Sequence, residues 1–208
     1  MTEPLTDPAA APEGSAARKR PKPGERRVQI LQTLAGMLEQ PGAERITTAA
    51  LAARLAVSEA ALYRHFASKA QMFEGLIDFI EQSVFTLAKQ LQEREADPAS
   101  RARRLVGMLL QFAEKNPGMA RVMVGDALVL EHQRLQERMN LFFDKFEATL
   151  RQALREAASP SATPTADAQV RASLLVSFLQ GRLQRFARSD FRRPPTEHLD
   201  ASLALLLG

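Results

Sequence analysis

The sequence predicts an all-α chain: a small N-terminal helix-turn-helix domain followed by a larger helical one. Three observations carry this. The stretch Thr47 to Lys69, TTAALAARLAVSEAALYRHFASK, holds two Thr or Ser start signals, each followed by an apolar pair four residues apart. Downstream, apolar residues recur at three- and four-residue spacing in runs broken by Pro, Gly, Asp and Asn. A length of 208 residues, 45% of them hydrophobic and 25% charged, is enough for a small domain joined to a larger one. The divisions follow as a basic arm over 1–24, a helix-turn-helix domain over 25–85, and a larger helical domain over 86–208.

Residues 1–24 are rich in Ala, Pro and Gly without apolar periodicity, and are expected to be a disordered arm. Arg18, Lys19, Arg20, Lys22, Arg26 and Arg27 crowd the entrance to the first helix with Glu25 against them. Such an arm either solubilises the chain or lies along DNA phosphates. The first helix is placed from Glu25 to Glu39, with Ile30, Leu31, Leu34 and Leu38 as its buried stripe and Pro41-Gly42 as its stop. Thr47 caps a short helix that turns Leu51 and Leu55 to one side, and Ala56-Val57 makes the turn. Ser58 caps the next helix, where Leu62 and Phe66 point inward and Glu59, Ala60, Ala61, Tyr63, Arg64 and His65 face solvent. Small Ala60 and Ala61 allow close approach to base edges, while Tyr63, Arg64 and Lys69 suit phosphates.

Ser68 with Gln71 forms a capping box opening a long linking helix that carries Met72, Phe73, Leu76, Ile77, Ile80, Val84, Leu87 and Leu91. Ile80 lies near the centre of that stripe, and Phe79 and Phe85 at its opposite edges. Asp97-Pro98 starts a helix reaching Lys115 with Leu105, Met108, Leu109 and Phe112 inward, and Asn116-Pro117-Gly118 ends it. A short helix from Met119 to Val124 and a break at Gly125-Asp126 precede a long helix to Ala157. Its Leu128, Leu135, Met139, Phe142, Phe146, Leu150 and Ala153 are spaced almost as heptads. Ser159 to Thr165 reads as a flexible loop. Val170, Leu174, Phe178 and Phe186 mark another helix, which contains Gly181, and Pro194-Pro195-Thr196 starts the last. Gly181 and the run Leu203, Leu205, Leu206, Leu207 point to a homodimer interface, the alternative being closure of a monomer core. Reading paired half-sites requires two helix-turn-helix units, which favours the dimer.

Val57-Ser58, then Leu62-Tyr63-Arg64-His65-Phe66, then Ser68-Lys69 resembles the signature of the TetR family of DNA-binding regulators. The resemblance implies a TetR-like fold and duplex DNA as partner, with Thr47, Thr48, Ser58, Ala60, Tyr63, Arg64, His65 and Lys69 as DNA-binding residues. Ala56 stands where the family usually has Gly, so the turn either adjusts or holds an alanine at positive φ. Four further stretches, Arg45 to Ala49, Glu114 to Gly118, Arg134 to Arg138 and Arg188 to Phe191, resemble the nucleoid occlusion branch of that family. That branch binds chromosomal sites and, when on DNA, antagonises the division GTPase FtsZ. The likeness implies an FtsZ-binding groove at Phe79, Met108, Gln111, Lys115 and Asn116, with Gln111 in place of a glycine. Taken alone, Lys115 equally suits the helix C-terminus and Asn116 an ordinary helix stop.

Lys and Arg total 28 against 24 Asp and Glu, a modest excess concentrated ahead of the first helix. The chain has no cysteine, which excludes disulfides and thiolate metal sites, and it shows no signal peptide or long apolar span, so a cytoplasmic, nucleoid-associated protein is expected. His65, His132 and His198 are scattered and no phosphate-cradling glycine loop occurs, so no enzyme, cofactor or metal site is expected. His65 suits a phosphate contact or a cap, while His132 and His198 read as surface residues. The competing function is a ligand-responsive transcriptional repressor. Against it, the inward positions are Leu, Met, Phe, Val and Ile without a convergent polar set, so no small-molecule ligand is expected.

Overall fold

The computed structural model describes residues 24–40, 46–157 and 164–207. The arm, the Pro41-Gly42 stop, Arg45 and most of the Ser159 to Thr165 loop lie outside the described residues. Among the described residues the chain forms α1 (Glu25–Leu38), α2 (Thr48–Arg54), α3 (Glu59–Tyr63), α4 (Lys69–Arg94), α5 (Pro98–Lys115), α6 (Pro117–Met123), a one-turn 3₁₀ helix (Asp126–Leu128), α7 (Gln133–Ala157), α8 (Pro164–Arg188) and α9 (Leu199–Leu207), with no strand between them. None of these helices is long and apolar enough to cross a membrane.

The head is built from α1, α2, α3 and the first turns of α4 around Ile30, Leu34, Leu51, Leu62, Phe66 and Met72, all buried. Side-chain caps set its turns: Thr47 accepts from the Ala50 amide at 3.1 Å, Ser58 from Ala61 at 3.3 Å and Ser68 from Gln71 at 3.2 Å. The capping box at Ser68 closes differently from the expected reciprocal form, because Gln71 Oε1 accepts from the Ala67 amide at 2.9 Å rather than from Ser68. Between α2 and α3, Ala56 takes φ +52°, so the turn keeps its left-handed residue and the alanine carries the strain. Ala56→Gly is therefore expected to raise stability by about 0.5–1 kcal/mol, relief of about 1–2 less the entropy cost of glycine. A denaturant midpoint that stays put or falls would mean the turn is not strained.

The body packs α5, α7 and α8 together, with α4 running into it from the head. Phe142 is its aromatic centre, with Phe143, Phe85 and Phe146 at ring-centroid distances of 5.2, 5.6 and 6.4 Å. α4 continues through residue 85, so the two expected domains share one rod. A ladder of ion pairs links it to α7 and to the segment just before: Lys69 with Glu131, Glu74 with Arg134 at 2.7 Å, and Asp78 and Glu81 with Arg138 at 2.8 and 2.9 Å. Burial disfavours the charge on Arg138, but its hydrogen bonds and charge contacts with Asp78 and Glu81 outweigh this and raise its pKa.

Several elements depart from the sequence reading. Leu87 is exposed and Leu91 half-buried, because the buried stripe runs through Ile77, Ile80, Val84 and Ala88, at i, i+3, i+7 and i+11, and Leu87 falls at its edge. α7 starts at Gln133 rather than just after Gly125-Asp126, and buried Leu128 belongs to the 3₁₀ turn. α9 starts at Leu199, since the segment from Ser189 is irregular with Asp190, Phe191 and His198 at φ +49°, +62° and +53°. That segment clasps α6: Arg121, only 5% exposed, donates to Asp190 at 3.1 Å while its guanidinium lies 5.0 Å from the Phe191 ring centroid. Leu31, expected in the buried stripe of α1, is half-buried against Gly75 of α4.

Candidate nucleic-acid interface and partner groove

The candidate recognition element is α3, held by its Ser58 cap and by Leu62 and Phe66 buried behind. Ala60, Tyr63, Arg64 and His65 are exposed on the outer side, which leaves one small position suited to close approach and three polar or cationic ones suited to bases or phosphates. Arg27 of α1 locks the far end of this element. Its guanidinium lies 4.0 Å from the Phe66 ring centroid and donates to the His65 carbonyl at 2.8 Å. Sequence reasoning counts Arg27 with the basic arm; an Arg on the helical face beside Ile30 is the available signal.

Thr47 and Ser58 are caps first, with their side-chain oxygens already accepting amides. Thr48 donates to Glu59 Oε2 at 2.6 Å, tying the start of α2 to the start of α3. To donate to a phosphate, Thr48 must exchange this partner. Lys69 is likewise engaged, in an ion pair with half-buried Glu131 from the segment between the 3₁₀ turn and α7. For Lys69 to reach a phosphate, its ammonium would have to exchange Glu131. Glu131→Gln is expected to tighten DNA binding about threefold to tenfold, the weight of one partly exposed pair, and to steepen the log–log salt dependence by about one unit. If affinity and salt slope both match the parent, Lys69 does not reach phosphate.

The second feature is a groove between α4 and α5. Phe79 on α4 is 46% exposed, and its ring centroid lies 6.4 Å from that of Phe112 on α5. Half-buried Met108, with exposed Gln111 and Lys115, follows the same face of α5 at positions i, i+3 and i+7. Asn116 is half-buried and its Nδ2 donates to the Phe112 carbonyl at 2.7 Å, so that side chain closes the helix end. Phe79, Met108, Gln111 and Lys115 are therefore brought together with available surface, whereas Asn116 reaches a ligand only by changing partner.

Polar groups do gather outside the inward positions of the helical domain. A cleft of about 240 Å³ between the end of α6, α7 and α8 is lined by Gln136, Asn140, Gln180 and Gln184 beside Met123, Met139 and Phe143. These amides come from two helices whose pairing the sequence does not reveal. Gln136 Nε2 donates to the Gly125 carbonyl at 3.1 Å. His65, His132 and His198 lie on the surface, and among the described residues no cluster of His, Asp or Glu is arranged to hold a metal ion.

Residues 30–76 match the family of bacterial regulatory proteins, tetR family, and residues 97–208 match the SlmA-like tetracyclin repressor-like C-terminal domain. The chain is 50% identical over 177 residues to the nucleoid occlusion factor SlmA of Idiomarina loihiensis, covering 85% of this chain and 90% of that protein. To the nucleoid occlusion factor SlmA of Vibrio vulnificus strain YJ016 it is 47% identical over 187 residues, with 89% and 95% covered. Among solved structures, the TetR family transcriptional regulator PfmR from Thermus thermophilus superposes with a TM-score of 0.66 at 20% identity, over 87% of this chain and 95% of that one. The transcriptional regulator FadR from Bacillus subtilis, in complex with stearoyl-CoA, gives 0.68 at 13% identity, over 87% and 97%. These two share the fold. The relatives and the matched domains agree over head and body alike: the chain belongs to the SlmA family of nucleoid occlusion factors, within the tetR family of bacterial regulatory proteins.

Proposed function

We propose that this protein is a DNA-binding nucleoid occlusion factor that works as a homodimer on duplex DNA and, when DNA-bound, binds FtsZ and blocks septum formation over the nucleoid. Its activity is inhibition by binding, without chemistry of its own. Family membership over most of the chain carries the reading, and the outward face of α3 supports the DNA half of it. For the FtsZ half, the supporting observation is an exposed phenylalanine, Phe79, against Phe112, with Lys115 three residues further along α5 as a cation without an ion pair among the described residues, which suits a peptide with apolar and acidic residues.

Sedimentation of FtsZ filaments with GTP, with and without a tightly bound duplex, tests it. Loss of filaments or co-pelleting of the protein only when DNA is present is the expected result. Lys115→Ala combined with Asn116→Ala is expected to leave DNA binding intact and weaken FtsZ binding about tenfold, the weight of one charge-assisted contact. Equal FtsZ binding by variant and parent would remove these residues from the site.

A second reading has one observation in its favour, the amide-lined cleft at Gln136, Asn140, Gln180 and Gln184, which would suit a small polar ligand in a ligand-responsive repressor. It takes over if FtsZ neither binds nor responds in either condition.

A further inference from the structure

Two depressions on the body meet at one side chain, Gln184 of α8. One is the amide-lined cleft of about 240 Å³ between the end of α6, α7 and α8. The other, of about 420 Å³, is lined by Gly181, Gln184, Arg185, Arg188, Ser189 and Arg193. Gln180, Gln184 and Arg188 follow at i, i+4 and i+8, so they form one strip of α8 that leads from the first depression into the second. Neither depression contains a residue of α3 or of the α4–α5 groove.

The second depression gathers positive charge without matching carboxylates. Arg185, Arg188 and Arg193 are exposed, and among the described residues the guanidinium groups of Arg188 and Arg193 have no partner, while Arg185 has only exposed Glu197 at 3.7 Å. Asp190, two residues from Arg188, is taken by Arg121 at 3.1 Å. A cation in the last turn of a helix complements its C-terminus, which accounts for Arg185 and Arg188 but not for Arg193. Arg193 is returned to the end of α8 by a chain reversal, with Asp190 and Phe191 at φ +49° and +62° and the Arg193 amide donating to Ser189 Oγ at 3.0 Å. Two consecutive left-handed residues that are not glycine store strain. The reversal they make sets three guanidinium forks around one hollow, an arrangement suited to the paired oxygens of phosphate groups.

The first depression offers the complementary chemistry. A side-chain amide presents a donor and an acceptor side by side, the pattern that pairs with the edge of a nucleobase. Gln136 is tied to the Gly125 carbonyl, but Asn140, Gln180 and Gln184 make no side-chain hydrogen bond among the described residues. Beneath them Met123, Met139 and Phe143 are buried and form an apolar floor for a flat ring. We infer that the two depressions form one nucleotide site, with the base among the amides and the phosphates at Arg185, Arg188 and Arg193. Val170, Leu174 and Phe178 form a separate strip of α8 with Gly181 between the two, so a homodimer seated on that strip would border the site rather than fill it. The inference holds whether or not FtsZ is a partner.

The test is isothermal titration calorimetry of the full-length protein with ATP, GTP, CTP and UTP, and separately with pyrophosphate. At least one of the four nucleotides is expected to bind about tenfold or more tighter than pyrophosphate. Arg188→Gln with Arg193→Gln should weaken that nucleotide and pyrophosphate alike, by about tenfold or more, with the melting temperature and DNA affinity unchanged. Gln180→Leu with Gln184→Leu should bring the nucleotide down to the affinity of pyrophosphate and leave pyrophosphate itself unchanged. The two variants thus fail in different ways, which general loss of structure does not produce. If nucleotides and pyrophosphate bind the parent equally, or the amide variant binds nucleotide like the parent, the hollow takes a plain anion and the nucleotide is overturned. If the parent binds none of these, or the arginine variant binds them like the parent, the site is overturned altogether. Should the arginine variant instead lose affinity for a duplex of unrelated sequence while no nucleotide binds the parent, the arginines hold DNA phosphates and the inference falls.

Discussion

Gly118→Ala is expected to destabilise the protein by about 3 kcal/mol and to weaken DNA binding at temperatures where the chain is still folded. Gly118 is buried where α6 crosses α1, and an added Cβ would overlap the Ala35 carbonyl oxygen and lie 3.0 Å from its carbon. The obstacle is backbone on both sides, so no rotamer change relieves it; α6 must lift from α1 or α1 must bend. Either response moves the head relative to the body, since α6 is also tied to the irregular segment after α8 through Arg121 and Asp190. Gly36→Ala is the control. It lies in α1 with open space before its Cβ, so it should gain about 0.5–1 kcal/mol of helix propensity. Denaturant unfolding of both variants with a DNA titration checks this, and equal midpoints for Gly118→Ala and parent would show that α6 does not seat on α1.

That glycine illustrates what the sequence could and could not say. Local signals placed the starts of α2, α3, α4 and α5, because a cap needs only a hydroxyl or carboxylate three residues from the amide that it satisfies. Leu51, Leu62, Phe66, Phe142 and Phe146 were legible as core for a similar reason, since helical spacing alone puts them on one face. Gly118 read only as part of a helix stop, because the chain segment that forbids a side chain there, Ala35, is eighty-three residues earlier. The pairing of Lys69 with Glu131 and the burial of Arg121 beneath Phe191 were hidden in the same way: each depends on two elements meeting, which periodicity does not encode. The start of α9 was misplaced because Pro194-Pro195-Thr196 has the composition of a helix start but follows two residues in left-handed conformation, and the chain turns again at His198 before the helix begins. For the candidate interface, the residue types on α3 and along the α4–α5 groove were readable, while the competitors already bound to Thr48, Lys69 and Asn116 were not.

Leu174→Asp together with Val170→Asp is expected to dissociate the homodimer and with it tight DNA binding. In the single chain Val170 and Leu174 are 59% and 52% exposed on α8, although the opposite face of that helix is core. Phe178, Gly181 and Arg185 continue the same face at i+8, i+11 and i+15 from Val170, and Gly181 has open space before it. On α9, Leu205 is 88% exposed while Leu203 two residues away is buried, so that helix too has an outer apolar side. In the proposed homodimer a second copy of α8 and α9 would cover these residues, with Gly181 giving the close approach that a side chain would prevent. In a twofold-symmetric interface each substitution occurs twice, and each buried, unpaired carboxylate costs on the order of 3 kcal/mol. Association should therefore weaken by more than about a thousandfold, at 1.4 kcal/mol per factor of ten. DNA affinity should fall with it, because a lone head meets one half-site and loses the second half-site's contribution. Sedimentation velocity and a DNA titration measure the two effects; a double variant that still sediments as a dimer and binds DNA like the parent would place the interface elsewhere. If instead it is monomeric yet properly folded, full-length variants in the FtsZ assay would separate what the dimer contributes to DNA loading from what each α4–α5 groove contributes to partner binding.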